Sequence, residues 1–397
     1  MKSYSEYIFF YCVNAINLVY LYVRFMKGYM SMICTYQKRL KGKSIGIMFG
    51  SFAPLHQGHL DCIMRAKKEN DGGCILITCG YEGDKGEPLM PHRKRYRYVR
   101  EFFANDDLVA VYAINDTEIQ AEEYPNGWQK WMNEFERIYK NAVEYAEERV
   151  WYVGDRCYYN DLQRMGEKVI LLDREVNLIS GTMIRNNPIK YWDKITVPFR
   201  RLFSHNILIC GTASEGKSTL TADLGKYFGT AYSTEYARDY MAESNVSDWE
   251  LDGADFSAFL TGQYNLNKKM INSSQNRGVF FADSDSLVTK MYAQHYANDD
   301  SCILSQEEYK QLSILADELT KKCKWVKIFL LIPCGQFVDD HTRYMAHSSI
   351  EEREKLCSLL INNLKTAGLW DKVVVLNYGY YKNFEIIKNY VKELVER

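Results

Sequence analysis

Two short runs on this chain have the residue types and spacing of turns that hold phosphate. The first is Gly50-Ser51-Phe52-Ala53-Pro54-Leu55-His56-Gln57-Gly58-His59, and the second is Gly211-Thr212-Ala213-Ser214-Glu215-Gly216-Lys217-Ser218-Thr219. Each follows a short apolar segment and opens a predicted helix, so several backbone N–H groups and the positive end of a helix dipole converge on one spot. The pair His56 and His59 could act as general acid and base, as metal ligands or as phosphate donors. No carboxylate of the zinc-protease pattern accompanies them, which makes metal the weakest of the three. Two imidazole donors beside a helix N-terminus, on a turn built from Gly50, Ser51, Phe52 and Gly58, can hold ATP phosphates and stabilise charge on a departing pyrophosphate. The second run is a G-x-x-x-x-G-K-S loop. Gly211, Ser214 and Gly216 let backbone amides wrap a β-phosphate, Lys217 neutralises the outer oxygens, Ser218 offers a hydroxyl to Mg²⁺, and Thr219 continues the nucleotide-binding turn.

Further groups with chemical potential lie near both runs. Ser180 and Thr182 suit a helix N-cap in Ile179-Ser180-Gly181-Thr182-Met183-Ile184-Arg185, from which Arg185 can reach back to a phosphate. Arg93, within Pro91-His92-Arg93-Lys94-Arg95-Tyr96-Arg97, offers another cation, while the same cluster also reads as a solvated helix face. Trp128 and Trp131 are either core or a platform for a flat cationic ring. Downstream, Arg277-Gly278-Val279-Phe280-Phe281-Ala282-Asp283 ends an apolar strand on a carboxylate, where a magnesium ligand is needed, and Asp285 could assist. Glu235, Tyr236, Arg238 and Asp239 concentrate acid, base and aromatic groups in what could be an acceptor site, with Glu235 or Asp239 orienting a sugar hydroxyl. Arg343, in the polar loop 339–344, is the candidate to close over a transferring phosphoryl group.

These groups need strands to carry them. Apolar runs at 44–49, 74–78, 108–114, 150–153 and 168–172 alternate with helical patterns near 96–103, 127–146 and 161–165. A second series has strands at 206–210, 277–283, 325–332 and 372–376, with helices at 218–228 and the C-terminus. Alternation of this kind predicts an α/β chain of two Rossmann-like parallel-sheet domains, at 44–191 and 206–397, joined by a linker at 192–205.

A formal net charge of −1 gives no overall attraction to nucleic acid or anionic membrane, so the expected partners are small molecules. The 11 cysteines include no C-x-x-C pair, which argues against a disulfide framework and a structural zinc site and fits a reducing cytoplasm. Residues 1–43 form an extension of uncertain status. Its apolar run at 7–23 is shorter than the roughly 20 residues a spanning helix needs, is interrupted by Asn14 and Asn17, and is followed by basic residues. The expectations for it are a leader or misassigned start, with Met30 or Met32 as the true first residue, a docked helix, or a membrane anchor.

The H-x-G-H run together with I-S-G-T-x-I-R resembles the motif pair of the nucleotidyltransferase superfamily. Tyr124-Pro125-Asn126-Gly127-Trp128 and Arg185-Asn186-Asn187-Pro188-Ile189-Lys190-Tyr191-Trp192 look like the nicotinamide mononucleotide adenylyltransferase branch found in NadR-type proteins. Thr234-Glu235-Tyr236-Ala237-Arg238-Asp239-Tyr240 and Val279-Phe280-Phe281-Ala282-Asp283-Ser284-Asp285 are similar to the ribosylnicotinamide kinase domain of the same bifunctional family. The resemblance runs from about residue 44 to the C-terminus. It implies ATP-dependent phosphorylation of nicotinamide riboside, then in-line attack of the mononucleotide on the ATP α-phosphorus to give NAD. By motif position His56, His59, Thr182 and Arg185 would handle ATP phosphates, Trp128 would stack on the pyridinium, and Mg²⁺ would accompany ATP at Ser218 and Asp283. Residues 1–43 are too short and apolar for the helix-turn-helix domain that some members carry, so repression is not implied. A homo-oligomer is compatible with the sequence. The same folds with other acceptors, or a nucleotide sensor with little turnover, are the competing readings.

Overall fold

A computed structural model describes residues 37–120, 126–173, 179–334 and 349–396. Arg343 with its loop 339–344, residues 124–125 and the run 7–23 lie outside them. The described residues form two compact units. Residues up to Asn186 together with Lys194–Phe199 make one, and Asn187–Asp193 with the residues from Arg200 onward make the other.

The first unit contains β1 (Leu40–Lys41), β2 (Ser44–Gly50), β3 (Cys74–Gly80), β4 (Val109–Asn115), β5 (Val143–Tyr145), β6 (Glu148–Val153) and β7 (Lys168–Leu171). Five of them form a parallel sheet in the order β4-β3-β2-β6-β7, the expected α/β arrangement. Helices Gln57–Glu69, His92–Phe102, Asn126–Ala142 and Arg156–Arg164 connect its strands. Ile45 and Ile47 on β2 and Ile75 and Ile77 on β3 are fully buried, which is why these strands read as continuous apolar runs rather than alternating ones. The chain winds from β2 outward to β3 and β4, then returns to place β6 on the other side of β2. The winding reversal opens a crevice at the carboxyl ends of β2 and β6.

The helix expected over 127–146 ends at Ala142. Val143-Glu144-Tyr145 is strand instead, since β-branched and aromatic residues fit an extended backbone and β1 is available as a parallel partner. Residues 37–43 are likewise built into this unit. The Gln37 side-chain amide donates to the Val111 carbonyl (2.7 Å) and accepts from the Val111 N–H, occupying backbone groups on the edge strand β4. Arg39 donates to the Asn141 carbonyl at 3.1 Å.

The second unit has β8 (His205–Gly211), β9 (Tyr232–Ser233), β10 (Val279–Asp283), β11 (Trp325–Leu331) and β12 (Val373–Leu376), all parallel, in the order β12-β11-β8-β10-β9. The central β8 is again buried on both faces, with Ile207, Leu208, Ile209 and Cys210 inaccessible. The segment Asn187–Asp193 is tied to this unit by the Trp192 indole, which donates to the Asn276 carbonyl at 2.8 Å. Among the described residues no helix is long and apolar enough to cross a membrane.

Asp285 has a different task from the metal assistance the sequence suggested. One carboxylate oxygen accepts from Leu287 N (3.0 Å) and Val288 N (3.4 Å), capping the helix Ser286–Tyr296, and the other accepts from the Trp325 indole at 2.9 Å. Both oxygens are committed to folding, and burial pushes the carboxyl up to about 6. Asp285→Ala removes the cap and strands a buried indole N–H, so it should lower unfolding free energy by about 2 kcal/mol. Denaturant unfolding of the full chain, followed by tryptophan fluorescence, measures this loss.

Candidate active sites

In the first unit the turn after β2 and the helix Gln57–Glu69 bring the two histidines face to face. Their rings stack with centroids 3.8 Å apart at 28°. Phe52 packs edge-on against His59 at 5.1 Å and takes a left-handed φ of 45°, a strained backbone for a non-glycine residue next to a ligand turn. His56 is 4% exposed, and its burial holds the imidazole down at about 4, so the ring is a neutral donor at ordinary pH.

The short helix Gly181–Asn186 docks against the same turn. The Ser180 hydroxyl accepts from Met183 N at 3.2 Å, and Arg185 bridges the Ala53 carbonyl and the Thr182 hydroxyl (3.0 Å). A Cβ on Gly181 would lie 2.7 Å from the Ala53 carbonyl oxygen, so this approach requires glycine. Gly50, Ser51, Phe52, His56, Gly58, His59, Ser180, Thr182 and Arg185 therefore gather at one sheet edge.

The basic helix also holds a buried cation that the sequence reading did not single out. Arg93 is exposed, whereas Arg95 is inaccessible, paired with Asp84, and donates to the Ser51 carbonyl at 3.2 Å. Helical period could have found it, since Arg95 shares a face with the buried Tyr98 and Val99. Trp128 lies parallel to Trp131 (5.3 Å, 11°) and to Tyr158 (5.8 Å, 14°), with Phe49 at 6.0 Å. Trp131 is core, Trp128 half-buried, and Tyr158, which the sequence gave no reason to single out, is 44% exposed.

In the second unit the loop after β8 holds its shape through positive φ at Ser214 (61°) and Gly216 (76°), which turns Lys217 into the first helical residue. Lys217 is buried, and its ammonium donates to the Thr212 carbonyl at 2.7 Å. Asp283 ends β10 beside Ile209 of β8 and is wholly buried, with neither carboxylate oxygen in a well-formed hydrogen bond. Burial pushes its carboxyl up to about 6 against the opposing pull of Lys217, and Ser218 is close enough to act on it. An all-oxygen pair of this kind fits Mg²⁺ brought in by a nucleotide.

Past Asp283 the chain passes through Ser284, strained at φ 82°, into the wall of a cavity lined by Glu235, Asp248, Phe256, Ser284, Tyr292 and Tyr296. Of the two carboxylates in the acceptor motif, Glu235 is buried on this cavity, while Asp239 is exposed and meets the Thr234 hydroxyl at 3.4 Å. Gln263 fixes the motif's backbone by accepting from Tyr236 N (2.7 Å) and donating to the Thr234 carbonyl (3.1 Å). Arg238 approaches Glu235 at 3.6 Å. Sequence reading missed a buried ion pair under the phosphate loop, where Arg353 of the helix Ile350–Thr366 donates to Glu215 at 2.8 Å. The partners are too far apart in sequence to leave a local pattern.

Residues 47–187 match the cytidylyltransferase-like family and residues 206–382 the AAA domain family. The chain is 27% identical over 370 residues to the trifunctional NAD biosynthesis/regulator protein NadR of Salmonella typhimurium, covering 89% of this chain and 84% of that protein. The Escherichia coli protein of the same description is 28% identical over 272 residues, 64% of this chain and 63% of that protein. A crystal structure of a NadR protein in complex with NR is 33% identical, covers 91% of this chain and 98% of its own, and has a TM-score of 0.79. A NadR structure in complex with NAD and AMP-PNP is also 33% identical, with the same coverage and a TM-score of 0.78.

The desolvated setting of His56 makes a direct prediction. In the free protein its imidazole should titrate near 4 by NMR, and pyrophosphate should move the midpoint upward, because anionic oxygens favour the charged ring. A free-protein midpoint at 6.5 or above would mean the ring is solvated.

Proposed function

The chain belongs to the NadR family, and on that premise we propose that it is a bifunctional transferase of NAD salvage. Its second unit phosphorylates nicotinamide riboside with ATP, and its first unit joins the resulting mononucleotide to the adenylyl group of a second ATP. The observation that carries this reading is similarity along both units to NadR structures holding NR, or NAD with AMP-PNP.

In the kinase step the riboside 5′-hydroxyl oxygen attacks the ATP γ-phosphorus, the bond from γ-phosphorus to the β-bridging oxygen breaks, and ADP departs. Glu235, buried on the cavity beyond Asp283, takes the hydroxyl proton. Lys217 leaves the Thr212 carbonyl to neutralise the transferring phosphoryl oxygens. Ser218 and Asp283 would hold Mg²⁺, which supplies charge neutralisation when bound with ATP. Tyr236 and Arg238 border the riboside, and Asp239 stays at the rim.

In the adenylyl step a mononucleotide phosphate oxygen attacks the ATP α-phosphorus in line, the bond to the α,β-bridging oxygen breaks, and pyrophosphate leaves. No covalent enzyme intermediate is needed. His56, His59 and Arg185, with amides of the Gly50–Phe52 turn, stabilise the leaving charge. Neutral His56 donates without carrying a proton that would have to be lost. Trp128 and Tyr158 provide the aromatic surface for the pyridinium.

Because the residues assigned to each reaction fall within one unit, the two activities should separate by mutation. His59→Ala should cut dinucleotide formation by about 100-fold and leave mononucleotide formation near wild type, and Lys217→Ala should do the reverse. Product assays on the two full-length variants check this; equal loss of both activities in either variant would count against two independent sites.

A further inference from the structure

One buried carboxylate in the first unit has no part in the chemistry above. Asp116 follows β4 directly, and its N–H donates to the Gly80 carbonyl at 2.9 Å, which holds it at the carboxyl edge beside the end of β3. It is 7% exposed, and its Oδ1 is buried without a hydrogen-bond partner. A buried acceptor left unpaired costs roughly 1–3 kcal/mol, so one kept at the carboxyl edge that also carries the phosphate turn points to a donor supplied by a ligand.

The surroundings indicate what that donor belongs to. Asp84 and Arg95 act on Asp116 from the phosphate side of the edge, and Cys79 and Tyr158 feel its charge from the side of the aromatic stack. Tyr158 stacks in parallel with Trp128. Asp116 is therefore near both the Asp84–Arg95 pair behind the phosphate turn and Tyr158 of the aromatic stack. Burial, with Asp84 pushing in the same direction and Arg95 against it, raises its carboxyl to about 7, so a positively charged ring beside it would favour ionisation.

We propose that Asp116 selects the amide form of the pyridine mononucleotide over the acid form. Its unpaired oxygen accepts the carboxamide N–H, its charge complements the pyridinium, and the same oxygen repels a pyridine carboxylate. The proposal rests on reading the first unit as a mononucleotide adenylyltransferase. Selectivity of this kind combines a fitted acceptor for one substrate with a like charge against its competitor.

The test compares kcat/KM for adenylyl transfer to nicotinamide mononucleotide and to nicotinate mononucleotide, using the full chain at pH 8. Wild type should favour the amide. Asp116→Asn removes the charge and presents an N–H donor in its place, so the amide value should fall, the acid value rise, and their ratio shift about 100-fold or more toward the acid. Asp116→Glu keeps the charge and should keep the preference for the amide. Asp116→Ser removes the charge with a smaller side chain and provides the same readout if the Asn variant does not fold. A parallel fall for both substrates, or no change in either, overturns the assignment of selectivity. Absence of dinucleotide from wild type with both substrates would instead remove the adenylyl-transfer reading, and the selectivity with it.

Discussion

Each unit depends on one constraint: a central parallel strand, buried on both faces, must end in a turn whose backbone can approach an anion. Strand β2 leads to the Gly50–Phe52 turn and β8 to the Gly211–Gly216 loop, and in both sheets the winding reverses at that strand. The reversal leaves the strand's end uncovered by a crossover, so the amides and the helix that follows meet the ligand crevice. Strained non-glycine residues collect here, with Phe52 in one unit and Ser214 and Ser284 in the other.

Buried charge then holds these turns in place. Arg95, paired with Asp84, reaches the Ser51 carbonyl from beneath the first turn, and Arg353, on the helix Ile350–Thr366, holds the second through Glu215 of the loop. Such pairs contribute little net stability, because desolvation offsets their attraction, but removing one partner leaves an uncompensated buried charge. Their effect is to fix geometry at the point where phosphate must be met. Lys217 differs, since its present acceptor is a backbone carbonyl that a nucleotide can replace at modest cost.

The sheets and the phosphate turns were legible in the sequence because they depend on local pattern: apolar runs, glycine spacing, and helix openings just after strands. The fold class and the family followed from those. What was not legible depends on contacts distant in sequence. Asp285 resembled a metal ligand until Trp325 and the helix N-terminus took both its oxygens, and Glu215 gave no sign of Arg353. Arg95 was hidden in a cluster of cations, although helical period put it with the buried Tyr98 and Val99. Val143–Tyr145 was read as helix because the strand beside it, β1, lay in a segment set aside as an extension. Asp116 and Tyr158 carry no motif at all, and their nearness depends on the fold rather than on sequence.

The most direct test of the two-step account is to incubate the full chain with nicotinamide riboside, ATP and Mg²⁺ and to separate products by chromatography over time. The account requires nicotinamide mononucleotide to form first, with ADP, and NAD to follow with pyrophosphate. Mononucleotide that accumulates without NAD, or no phosphorylated riboside at all, would contradict it.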